Sequence, residues 1–284
     1  GGASLNVEHT NGGAGDSGKT FSMGNQLTFS GSGELDNGLN VALSFIIDQN
    51  DDGTTASGAV KSANTGSPFD SHSVTVSSDA LGSLKFSGEG GSSATSALDT
   101  TAAGDIWDNF DGSTTVHPTG IGGGDNSMLY TLPTLMDGLS ANISYNKTSE
   151  GKESATGYSV TYTGMEGLSL SYGSGDGTTA NTSADVIKAS YAYGPVTVAY
   201  SNYEYDADGT SSDDDTTSYK VSYTVSDEIS LSYGSETVSR GTLIDGEYTS
   251  ISASYTAGGM TISAAMQEAE NMDGTTTATQ DRER

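Results

Sequence analysis

The strongest constraint on this chain is an alternation of apolar and small polar residues that runs almost from end to end. Leu39, Val41, Leu43, Phe45 and Ile47 interleave with Asn40, Ala42 and Ser44. The same period of two returns in Leu84/Phe86, Leu139/Ala141/Ile143/Tyr145, Tyr158/Val160/Tyr162, Ile187/Ala189/Tyr191/Tyr193, Tyr219/Val221/Tyr223/Val225 and Ile251/Ala253/Tyr255. Strict alternation marks a β-strand with one apolar and one polar face. The facing set is almost entirely Ser, Thr, Asn and Gly, with an occasional Lys. Tight turns such as Asp36-Asn37-Gly38, Gly194-Pro195 and Ser226-Asp227-Glu228 alternate with long polar connections near 11–20, 48–70, 88–125, 146–157, 174–184, 206–216 and 235–247. When every second connection is long, the long loops leave one rim of an antiparallel sheet and the tight turns the other. The pattern counts to about 15 strands, an odd number that leaves a sheet edge open. A final strand just beyond Arg284 is therefore expected, apparently missing from this chain, to make 16.

Composition decides which side of such a sheet meets water. Only 33% of the 284 residues are hydrophobic, too few for an ordinary core of this length. A closed sheet of this width is too wide for side chains to fill, so its interior is aqueous and its apolar face turns to lipid. Tyrosines near strand ends, among them Tyr145, Tyr172, Tyr193, Tyr200, Tyr233 and Tyr255, suit the interfacial girdles of a membrane barrel. The expected fold is thus an all-β transmembrane antiparallel β-barrel spanning 1–284 as one domain. No window approaches the roughly 18 apolar residues of a membrane helix, and no leader-like segment opens the sequence, which is read as mature or trimmed. A formal charge of -27 argues against nucleic acid as a partner. Cysteine is absent, and His9, His72 and His117 have no spacing that suits a triad or a metal site, so no enzyme signature is present.

One connection stands apart from the rest. The segment 88–125 follows Gly82-Ser83-Leu84-Lys85-Phe86, is the third long loop on its rim, and precedes Asp125-Asn126-Ser127-Met128-Leu129-Tyr130. Together with Leu27-Thr28-Phe29-Ser30-Gly31-Ser32-Gly33-Glu34-Leu35-Asp36-Asn37-Gly38-Leu39, these runs resemble the general porins of Gram-negative outer membranes. The resemblance covers nearly the whole chain in order, though each motif is loose and glycine-rich. It implies an outer-membrane channel, set among lipid and lipopolysaccharide, for passive diffusion of small hydrophilic solutes. It also implies a homotrimer, and a third loop folded into the pore as a constriction. The C-terminal strand ending in an aromatic residue, typical of that family, is not found here.

The resemblance further implies an acidic loop facing a basic wall. The acidic side is expected at Asp99, Asp105, Asp108 and Asp111, with Asp125 at the loop's exit, and Trp107 and Phe110 packing the stretch Asp105 to Asp111. On the wall, three positions where many family members carry arginine fall on Gln26, Gly88 and Asp125 in ungapped matching, and none supplies a positive charge. Alternation turns Lys85, Lys188 and Lys220 toward the lumen. Carboxylates opposed by so few cations predict a cation-preferring pore. No cofactor is expected beyond calcium in the loops, for which Asp48, Asp51 and Asp52 are candidate ligands. The competing reading is a secreted or surface-layer acidic β protein with calcium-binding loops, against which the alternation of tight turn and long loop argues.

Overall fold

The computed structural model describes residues 2–10, 18–48, 69–110, 121–147, 153–207, 213–257, 260–272, 274 and 282–283, with side chains from 26 onward except those of 48, 69–70 and 282–283. It is a single antiparallel meander of 16 strands, each hydrogen-bonded to its neighbours in sequence. The first half comprises β1 (Gly2–Thr10), β2 (Gly18–Glu34), β3 (Asn40–Asp48), β4 (Phe69–Ser78), β5 (Gly82–Glu89), β6 (Ser127–Thr131), β7 (Leu139–Asn146) and β8 (Ala155–Tyr162). The second comprises β9 (Leu168–Asp176), β10 (Ser183–Tyr193), β11 (Val196–Asp206), β12 (Asp214–Thr224), β13 (Ile229–Arg240), β14 (Gly246–Ala257), β15 (Met260–Glu270) and β16 (Arg282–Glu283). The sixteenth strand, expected beyond Arg284, is a two-residue strand within the chain, where Arg282 and Glu283 pair with Ala269 and Glu268. Among the described residues no ladder joins β1 to β16.

Register follows the alternation. Leu27, Phe29 and Gly31 lie opposite Ile47, Phe45 and Leu43, which stacks the apolar set of β2 on that of β3. Burial along the wall is inverted relative to a water-soluble sheet. Ile251 is 61% exposed and Met266 73%, while Ser218, Thr216 and Glu236 on the other face have no exposed surface. A wall that shows large aliphatic residues outward and hides hydroxyls inward suits lipid outside, where closed barrels satisfy every backbone group between strands. Tyr193, Tyr223 and Tyr255 mark the tight-turn ends, and Tyr158 packs at a tilt against Tyr172 higher on the wall with ring centroids 6.1 Å apart. The tight-turn rim is zipped by backbone bonds from one turn to the next: Thr163 N–H to Gly138 O, Ala192 N–H to Gly167 O and Thr256 N–H to Glu228 O. Gly38 closes the first of these turns at φ +81, a conformation that L side chains avoid.

Two features depart from the sequence pattern. The connection expected over 235–247 is mostly strand: β13 continues to Arg240 and β14 resumes at Gly246. The inward face is also not uniformly polar. Ala184, Val186, Tyr203, Val238, Tyr248 and Ala269 point inward and are buried in two small apolar clusters. Both departures have one cause, because in the long-loop halves of β10 to β15 the inner wall faces protein instead of water.

Candidate functional site

That protein is the segment between β5 and β6, folded back along the inner wall. Its two limbs are clipped where they leave the sheet, Gly91 N–H donating to Gly124 O at 3.0 Å. The Ser93 hydroxyl donates to Ile121 O at 2.6 Å and so joins the outgoing limb to the returning one. Ala94 N–H donates to Ser144 Oγ of β7 at 2.9 Å. Beyond this point the loop crosses five strands in succession.

Lys188 on β10 lies opposite Ser201 on β11, Ser201 opposite Ser218 on β12, Ser218 opposite Glu236 on β13, and Glu236 opposite Tyr248 on β14. Every member of this cross-strand row holds the loop. The Lys188 ammonium donates to Thr100 O at 2.5 Å, Ser201 Oγ accepts from Ala102 N–H at 2.8 Å, and Ser218 Oγ accepts from Ala103 N–H at 2.9 Å. Glu236 accepts from the Thr101 hydroxyl and, at 3.1 Å, from Trp107 N–H. Tyr248 receives the Phe110 ring at a centroid distance of 6.0 Å. Period two puts one residue per strand on this level, and antiparallel register lines them up.

Local geometry locks the loop into the row. The Asp105 carboxylate accepts from Thr101 N–H at 2.8 Å, while Thr101 Oγ1 accepts from Asp105 N–H at 2.7 Å. Asp105 adopts the left-handed conformation, φ 55, and starts the short 3-10 helix Ile106–Asn109. Ile106 and Phe110 then bury against Val238, Tyr248, Ala269 and Met272. Leu98 and Ile121 pack on Val186 and Tyr203 in the second cluster. Close approach needs a bare wall at Gly234, where an added Cβ would stand 2.8 Å from Ala103 Cβ.

The expected acidic residues divide by environment. Asp99 is half-buried, and burial pushes its carboxyl up to about 6, with the neighbouring Asp105 carboxylate adding to the effect and the Thr100 N–H and Lys188 opposing it. Asp105 is half-buried in its turn, Asp108 is exposed on the 3-10 helix, and Asp125 is exposed at the loop's exit, its carbonyl accepting from the Asn146 side chain at 3.0 Å. Asp111 lies outside the described residues.

On the wall, Lys188 is committed to Thr100 O. Lys85 is exposed on β5 and Lys220 half-exposed on β12, and neither enters an ion pair among the described residues. Gln26 is exposed on β2 opposite Asp48. A side chain at Gly88 would collide with the His72 ring, 1.9 Å from its Cβ, and that ring stacks on the outward-facing Phe45. Of the three calcium candidates, Asp48 ends β3, and Asp51 and Asp52 lie outside the described residues. Among the described residues no group of three or more His, Asp or Glu side chains is placed to hold a metal ion.

Sequence reasoning missed Glu236, Ser201 and Ser218 as loop ligands, and it missed Arg240. Inward parity carried a signal for the first: Glu236 is an acid in a run of Ser and Gly on the polar face of β13. Arg240 was hidden in what read as loop, and it pairs with buried Asp214 at 3.2 Å.

An apolar outer wall, a hydroxyl-lined inner wall and a loop laid across that inner wall define a pore-forming β-barrel of the outer membrane, a channel and not an enzyme. The chain belongs to the Gram-negative porin family, whose model matches residues 1–243. No characterised protein is significantly similar to it in sequence. Solved structures share its fold at low identity. A doubly substituted variant of the Rhodopseudomonas blastica porin superposes with a TM-score of 0.66 at 15% identity, covering 99% of this chain and 96% of its own. A structure described under asymmetric conductivity of engineered proteins gives 0.66 at 14% identity, covering 99% and 97%. A triply substituted Rhodopseudomonas blastica porin gives 0.65 at 16%, covering 94% of each.

Proposed function

We propose that the chain forms a cation-preferring pore for passive diffusion of small hydrophilic solutes. The observation that carries this reading is the use already made of the wall's cations. Lys188 is tied to the Thr100 carbonyl and Arg240 to Asp214, while Asp99, Asp105 and Asp108 line the loop. Among the described side chains of the wall Lys85 and Lys220 remain to oppose them, so positive solutes are drawn in and anions repelled.

Reversal potential across a potassium chloride gradient in planar bilayers tests it. A potential of the sign set by potassium is expected, and anion preference would refute the reading. Asp99→Asn and Asp108→Asn should each move the potential toward zero.

The assembly belonging to this reading is a homotrimer. Cross-linking in mild detergent should arrest at three copies, and a monomer band alone would reject it.

A further inference from the structure

An open-sided cleft of about 580 Å³ lies between the loop and the connection from β9 to β10, on the long-loop side of the pore. That volume suits a small organic ligand. Asp99 and Ser92 of the outgoing limb, residues 122–124 of the returning limb, Thr178 and Thr179 of the connection and the half-buried Tyr205 line it. Among the described residues no lysine, arginine or histidine lines it, so no cationic side chain there is placed to hold an anion. Lys188, whose charge acts on Asp99, donates to Thr100 O and is not among the residues that line the cleft.

The lining is therefore one carboxylate, several hydroxyls, peptide groups and an aromatic ring. A carboxylate in a partly desolvated site binds an ammonium group by a charge-assisted hydrogen bond. Hydroxyl and peptide groups match the alternating donors and acceptors of a polyol. A tyrosine ring offers an apolar platform to the C–H face of a pyranose. We propose that this cleft is a subsite in the outer mouth of the pore for small polyhydroxylated amines, the amino sugars, with Asp99 binding the ammonium. The placement puts capture on the long-loop side of the cross-strand row that holds the loop, where a bound solute delays the ion current. The inference rests on the pore reading above and adds a solute class to it.

Glucosamine is the probe, added to the long-loop side of single channels in bilayers, with glucose and N-acetylglucosamine as neutral controls. Glucosamine should reduce the current saturably, and the two controls only in proportion to the fall in bulk conductivity. Asp99→Asn should raise the half-blocking glucosamine concentration about tenfold or more, the loss expected for one charged hydrogen bond. Asp227→Asn on the tight-turn rim should leave that concentration unchanged. Should Asp99→Asn fold poorly, Thr178→Val removes a hydroxyl from the cleft without touching charge and should weaken the block severalfold. Equal effects of glucosamine and N-acetylglucosamine, or a block indifferent to both variants, would overturn the subsite while a cation-directed reversal potential left the pore reading standing. A saturable block in a channel whose reversal potential favours anions would do the reverse.

Discussion

A carboxylate with no exposed surface needs donors, and Glu236 takes them from the loop: the Thr101 hydroxyl and the Trp107 N–H. Glu236→Ala strands both donors and should weaken loop docking by about 1–3 kcal/mol. The expected signature is a noisy open-channel current and faster cleavage within the loop by added protease, with the strands still heat-resistant in detergent. Quiet channels with an intact loop would show that Glu236 is dispensable for docking. Asp99 supplies a second prediction at this scale. Its carboxyl is raised to about 6, first by burial and then by Asp105, so it is charged above that pH and neutral below it. Cation preference should therefore decline as pH falls from 7 to 5, and Asp99→Asn should flatten that part of the profile. For stability the sign is opposite. Between the ordinary carboxylate value and about 6 the folded state holds the extra proton, so Asp99 disfavours folding at pH 7 and ceases to do so as pH drops. A reversal potential that is constant over this range would exclude Asp99 from selectivity.

At the scale of elements, the loop fits because β13 presents a glycine where the chain passes closest. Gly234→Val puts a branched side chain against Ala103 and cannot be accommodated with the loop in place. Single-channel conductance should change while barrel content by circular dichroism stays the same; unaltered conductance would mean the loop docks elsewhere. How far these elements could be read from sequence depends on what each face meets. Outward faces touch lipid, so Ile251, Tyr219 and Leu231 kept the period of two, and the strands and turns were legible. The inward face was legible only where it meets water. Where the loop covers it, Val238 and Tyr248 are as apolar as the outer wall, the alternation disappears, and strand reads as connection. The acidic loop residues could be singled out because they cluster in sequence. The row Lys188, Ser201, Ser218, Glu236 and Tyr248 was not, because its members come together only through register.

For the whole molecule, the dominant quantity is a charge of -27. Part of it lies where repulsion is strongest. Asp185, Glu204 and Asp215 are direct neighbours on β10, β11 and β12, just past the tyrosines of the outer face, where Tyr172 donates to Asp185 at 2.7 Å. Like charges directly opposite one another destabilise a sheet. Raising ionic strength from about 0.01 to about 0.15 M shortens the screening distance from about 30 to about 8 Å. Thermal unfolding in detergent should accordingly shift upward with salt, and more for the wild type than for Glu204→Gln. A melting temperature insensitive to salt would mean that these charges are compensated in the folded barrel.

The row that holds the loop also has a bearing on assembly. Thr101 and Glu236 stand 135 residues apart, and the loop's partners run from β7 to the end of β15. The row is complete, and the loop held along its whole length, only once β13 and β14 have paired with the strands before them, so closing the end of the loop belongs to the same event as closing the last third of the sheet.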